Sequence, residues 1–197
     1  MLDLGFLLLL MLWSAGIGLR MLARLVPIPE HPADALSLAI PLGLGALALA
    51  TLGLAELGLL TRGGIIAILG SGALLCGTPG PRLRGLIAEE PAPRGALDWA
   101  SDLALAVALV GTLLTALTPV TDGDALCYHL QVPKVFLASQ AATFEPDLHE
   151  TVYPLVMEML YTVALAVRGP VACRLVSWLF GLVFALNVSA QARPVLK

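Results

Sequence analysis

Of 197 residues, 58% are hydrophobic and only 13% are charged, about half the share usual in a soluble domain, and the mean hydropathy is +0.91. That balance excludes a water-soluble globular chain and makes lipid the solvent for most of the sequence. The net charge of −3, with eleven scattered Lys and Arg residues, speaks against a nucleic-acid partner.

In hydrocarbon every backbone polar group must be satisfied internally, and long Leu/Ala-rich runs do this as helices rather than as barrel strands. A span needs about 20 mostly apolar residues, and six candidates follow in chain order: 4–26, 36–60, 64–78, 102–120, 154–168 and 171–190. The run from Leu4 to Leu12 could be the centre of a signal peptide. However, Asp3 precedes it, no Lys or Arg does, and the apolar pattern continues to Val26, which favours a span. Thr61-Arg62-Gly63-Gly64 reads as the tight turn of a helical hairpin. The proline-rich, mixed-charge stretch between the third and fourth runs reads as a solvated loop.

The expected fold class is all-α: a polytopic transmembrane helix bundle with an external loop containing an amphipathic surface helix. Its expected parts are N-terminal helices over 1–78, a cytoplasmic loop over 79–101, and a segment over 102–197 that carries the chemistry. Cys76, Cys127 and Cys173 form no Cys-x-x-Cys pair and read as small packing residues.

Orientation is argued from short-loop Lys and Arg. With 121–153 outside, the inside set is Arg20, Arg24, Arg82, Arg84, Arg94, Arg168 and Arg174, and the outside set is Arg62, Lys134, Arg193 and Lys197.

The 121–153 segment is the most polar. Asp122-Gly123-Asp124 follows the fourth span, and Leu126, Leu130, Pro133 and Leu137 then recur at helical spacing, as in an amphipathic helix on the membrane surface. Pro133 is expected to bend or interrupt it. Two readings of the aspartates stand side by side. Asp124 occupies an N-cap position; equally, two carboxylates one residue apart can bind a divalent cation, or one can take a proton from an acceptor hydroxyl. His129 and Lys134 are either polar groups reaching water and headgroups or ligand contacts. Glu158 lies inside the fifth span with Tyr161 one turn on. An ionisable group there costs about 2.5–3.5 kcal/mol on insertion scales, so it reaches water at the boundary or faces a partner.

The run Asp122-Gly123-Asp124-Ala125-Leu126-Cys127-Tyr128-His129-Leu130-Gln131-Val132-Pro133-Lys134, with Tyr153-Pro154 and then Glu158 to Tyr161, resembles bacterial GT-C membrane glycosyltransferases. These are polyprenyl-phosphate-sugar-dependent enzymes related to protein O-mannosyltransferases and to the lipid A aminoarabinose transferase. The resemblance covers about 102–190. It implies a bacterial inner-membrane enzyme that takes a sugar from a polyprenyl-phosphate carrier in membrane lipid and passes it to an acceptor outside. It also implies Asp124 as the catalytic carboxylate, Asp122 and Asp124 as ligands of a divalent metal, and Tyr128, His129, Lys134 and Glu158 as contacts to substrate or lipid phosphate. Such enzymes have many more spans and usually a periplasmic domain, and residues 4–78 match no motif of theirs. The chain therefore reads as the front part of one, either a fragment or a short relative. The competing expectation is a non-enzymatic accessory or scaffold subunit working with other membrane subunits.

Overall fold

The computed structural model describes residues 2–29, 31–76, 95–152 and 155–192. Among these the chain is all-α: α1 Leu2–Leu25, α2 Pro32–Glu56, α3 Arg62–Cys76, α4 Ala96–Ala116, α5 Gln131–Ser139, α6 Val156–Val167 and α7 Pro170–Ala192. A π turn, Ala125–His129, precedes α5, and a 3-10 turn, His149–Val152, precedes α6. Helices α1, α2, α4 and α7 are long and apolar enough to cross a membrane, and α3 and α6 are shorter apolar helices. The protein is an integral membrane protein. The sequence expectations for Arg82–Arg94, Tyr153-Pro154, Arg193 and Lys197 fall outside the described residues.

Small residues set the closest packing. A Cβ on Gly18 would overlap the carbonyl oxygen of Ala39, and one on Gly43 would overlap that of Ser14. Helices α1 and α2 therefore approach to backbone contact and run antiparallel, as small residues permit in lipid. The indole N–H of Trp13 donates to the carbonyl of Leu69 at 2.9 Å, and its ring fills the space over Gly72, fastening α3 to α1. The hairpin turn falls earlier than the sequence suggests. Helix α2 ends at Glu56, Gly58 takes a positive φ of 68°, and Thr61 accepts the Gly64 N–H on its hydroxyl at 3.0 Å, the bond of an N-cap for α3.

Pro41 lies inside α2 and has no N–H to give the carbonyl of Ser37, four residues back. That carbonyl instead accepts a hydrogen bond from Asn187 Nδ2 of α7 at 2.8 Å. A missing helix bond thus becomes an interhelical one. Asn187→Leu, which strands the buried carbonyl, is expected to destabilise the bundle by about 1–3 kcal/mol. Pro41→Ala, by restoring the donor, should recover most of the loss. Unfolding midpoints of the unmodified protein, of Asn187→Leu and of the Asn187→Leu/Pro41→Ala double variant in a graded detergent–SDS titration check both signs.

Hydrogen bonds and ion pairs fix which ends lie together. Ala142 N–H donates to the carbonyl of Ala55 at 3.1 Å, and Leu60 N–H to that of Gln140 at 3.0 Å, so the 117–155 connection meets the α2–α3 turn. Asp3, at the same end because α1 is antiparallel to α2, pairs with Arg168 at 3.1 Å. Arg174 reaches the end of α4 and stands 3.8 Å from Asp122. This corrects the Lys/Arg count, in which Arg168 and Arg174 faced away from the 121–153 segment. Among the described residues Arg20 and Arg24 occupy one end, and Arg62, Lys134, Arg168 and Arg174 the other.

Candidate functional site

The 121–153 connection is helical where the periodicity predicts, but in two pieces. Leu130 N–H bonds the carbonyl of Ala125 at 2.9 Å, five residues back, which inserts one residue into the turn and breaks it from α5. Pro133 does not cause the break: it sits in the first turn of α5, where a missing N–H removes no helix bond. Val132, Pro133 and Phe136 are buried, so α5 sits against the bundle, while Leu126 is exposed.

The π turn delivers His129 to α6. Its Nδ1 lies 2.8 Å from Oε1 of Glu158. The histidine side chain is 36% exposed and the glutamate 11%, so the carboxylate is the enclosed member and the imidazole leads outward. Glu158 occupies the first turn of α6, where free backbone N–H groups and the helix dipole favour negative charge. When the carboxylate is ionised and the ring neutral, Nδ1 donates to it and Nε2 keeps a lone pair for a hydroxyl proton. The ring is walled by Tyr128 (centroids 4.0 Å apart) and by Tyr161, which meets it nearly edge-on at 6.0 Å. The Tyr161 and Ser177 hydroxyls are 2.7 Å apart, tying α6 to α7 beside the pair.

A second polar group caps α4. Arg174 Nη1 donates to the carbonyls of Thr118 (3.2 Å) and Pro119 (2.8 Å) and to the Thr118 hydroxyl (3.0 Å). These groups directly follow the C-terminus of α4, in the place where a cation suits the dipole. Nη2 approaches the exposed carboxylate of Asp122 at 3.8 Å.

Of the residues singled out from sequence, the structure brings together His129, Glu158 and Tyr128, and places Asp122 against Arg174. Asp124 is exposed, with helical backbone angles (φ −60°, ψ −40°) and no side-chain cap bond, so it does not cap the turn. Lys134 is exposed on α5. Asp122 already faces a guanidinium, and among the described residues no three His, Cys, Asp or Glu side chains gather to hold a metal. Cys127 is exposed and Cys173 buried, both as free thiols. Sequence reading missed Ser177 and the role of Arg174. The i, i+3 spacing of Glu158 and Tyr161 hints at a shared face, but only the register of α6 on α7 selects Ser177. No family model, curated protein or solved structure matches the chain.

Proposed function

We propose that the chain is the N-terminal part of a membrane glycosyltransferase of the bacterial inner membrane, moving a sugar from a polyprenyl-phosphate carrier to an acceptor on the face bearing residues 121–153. The observation that carries this reading is the 2.8 Å contact of His129 with Glu158. The two motifs behind the GT-C resemblance lie 29 residues apart and meet side chain to side chain, as parts of one site would. In the proposed reaction the acceptor hydroxyl loses its proton to a carboxylate, Asp124, while its oxygen attacks the anomeric carbon and the carrier phosphate leaves with the bonding electrons. Tyr128, His129, Lys134 and Glu158 line the approach of acceptor and phosphate. No step is routed through a metal.

The accessory-subunit reading draws on a different observation. Helix α4 is the least enclosed long helix, with 6% of its apolar window buried, and Leu97, Leu103, Val107, Val110 and Leu114 are exposed, a surface for lipid or for further helices.

The test is transfer in liposomes from a polyprenyl-phosphate-linked radiolabelled hexose to a lipid acceptor. We expect label to leave the carrier with the unmodified chain, and Asp124→Asn to lower the rate by about 10²–10⁴-fold with unchanged insertion. Full transfer by Asp124→Asn removes that residue from the chemistry. An inert unmodified chain moves the assignment to the accessory subunit.

A further inference from the structure

One end of the bundle gathers four separate stretches: the close of α4 with Asp122 on Arg174, residues 140–142 on the α2–α3 turn, Arg168, and Asp3 at the start of α1. The chain from Thr118 to Arg168 thus enters and leaves the bundle at that end. Between those points α6 cannot make a crossing. Its 12 residues extend about 18 Å at about 1.5 Å per residue, against a hydrocarbon core of about 30 Å. It turns through Gly169 (φ 133°) into α7, antiparallel to it, as the Tyr161–Ser177 bond requires.

Two independent measures give the depth of the His129–Glu158 pair. Glu158 precedes Arg168 by ten residues along nearly continuous helix, which places it roughly 15 Å below the Asp3–Arg168 ion pair. From the other side, Asn187 bonds Ser37, and Ser177 lies ten residues earlier on α7, level with about Leu47 of the antiparallel α2. Glu158, one turn deeper than Tyr161, comes level with about Leu44, the middle of Pro32–Glu56. Both Leu44 and Leu47 are fully buried.

Irregular backbone at such depth persists only where its polar groups are satisfied within the protein. Within residues 145–151 the Glu145 and Leu148 N–H groups are satisfied by the chain itself, while Glu145, Pro146, Asp147 and His149 are exposed. The Thr151 hydroxyl accepts Glu145 N–H at 3.3 Å and donates to the carbonyl of Leu148 at 2.9 Å, and Leu148 N–H bonds the carbonyl of Glu145 at 3.0 Å.

From these placements we propose that the described residues between 117 and 168 form a re-entrant insert. The π turn, α5 and α6 dip into the bundle from one face and return to it, holding the His129–Glu158 pair near mid-membrane. Among the described residues the crossings are then α1, α2, α4 and α7, and any substrate of the pair is met inside the membrane rather than at its surface. The geometry alone carries this, independently of glycosyl transfer, so an inert transfer assay leaves it standing.

Single cysteines test it in a background with Cys76, Cys127 and Cys173 replaced by alanine: Gln140→Cys, Pro170→Cys and Pro27→Cys, labelled with a membrane-impermeant maleimide in sealed vesicles of known orientation. Gln140→Cys and Pro170→Cys are expected to label from one face and Pro27→Cys from the other. Labelling of Gln140→Cys and Pro170→Cys from opposite faces means that α6 crosses, and overturns the insert. Where Pro170→Cys fails to insert, Val171→Cys reads the same turn. Depth has its own readout in a chain that keeps Cys127 with Cys76 and Cys173 replaced by alanine: a fluorophore on the exposed thiol of Cys127, two residues from His129. Nitroxides midway along the acyl chains should quench it more strongly than headgroup nitroxides, and the reverse order overturns the mid-membrane placement.

Discussion

Gly43→Val is expected to prevent the protein from accumulating as a single folded species in mild detergent, whereas Gly45→Val, two residues along the same helix, leaves it monodisperse. A Cβ at residue 43 would overlap the backbone carbonyl of Ser14, and one at residue 45 meets nothing within 4 Å. The obstacle at residue 43 is backbone rather than a side chain that could rotate away, and Ser14 is held further by its hydroxyl bond to the carbonyl of Leu10 at 2.7 Å. Relief requires separating α1 from α2 along a seam that also holds Gly18 against Ala39. Overpacking in a core costs about 1–3 kcal/mol where side chains can adjust, and more is expected here. The valine's own helix penalty, a few tenths of a kcal/mol against alanine, is shared by both variants and cancels in the comparison. Size-exclusion profiles and SDS-titration midpoints measure it. Equal behaviour of the two variants would mean that the α1–α2 contact is looser than the structure has it.

Composition made the helices legible, because 58% apolar residues in long runs leave the backbone little else to form in lipid. The boundaries were harder. Glu56 and Gly58 end α2 before the Thr61–Gly64 turn that the dipeptides suggest, and Thr61 serves as a cap for the next helix. The fifth apolar run reads as a short span, yet α6 is a half-length helix, and hydropathy cannot say whether a helix of that size crosses or returns. Arg174 shows the limit of counting charges along a chain. Beside α7 in sequence it looks like a loop cation, whereas in space it satisfies the carbonyls at the end of α4. Pro41 and Asn187 are unremarkable 146 positions apart; their connection depends on one absent N–H and on the register of two antiparallel helices. Within the site, the motif spacing singled out His129 and Glu158 but not their contact, since the one-residue π insertion that aims the imidazole has no clear sequence signal.

His129→Leu is expected to destabilise the protein more than Glu158→Leu, and the double variant less than the sum of the two. Removing His129 leaves a carboxylate that is 11% exposed facing apolar neighbours, including the fully buried Met159 and Leu160 beside it on α6. Removing Glu158 leaves an imidazole that is 36% exposed and so less enclosed than the carboxylate. Leaving a buried hydrogen-bonding group without its partner costs about 1–3 kcal/mol, and more for a charged group, while the partial exposure of His129 lowers the figure through screening. The coupling expected from the cycle is about 1–3 kcal/mol. Glu158→Gln, which keeps an acceptor for Nδ1 and removes the charge, should fall between wild type and Glu158→Leu. Midpoints of SDS unfolding for the variants supply the cycle. Strict additivity would mean that the 2.8 Å contact does not hold the π turn to α6, and the site would then lose the interaction that brings its two motifs together.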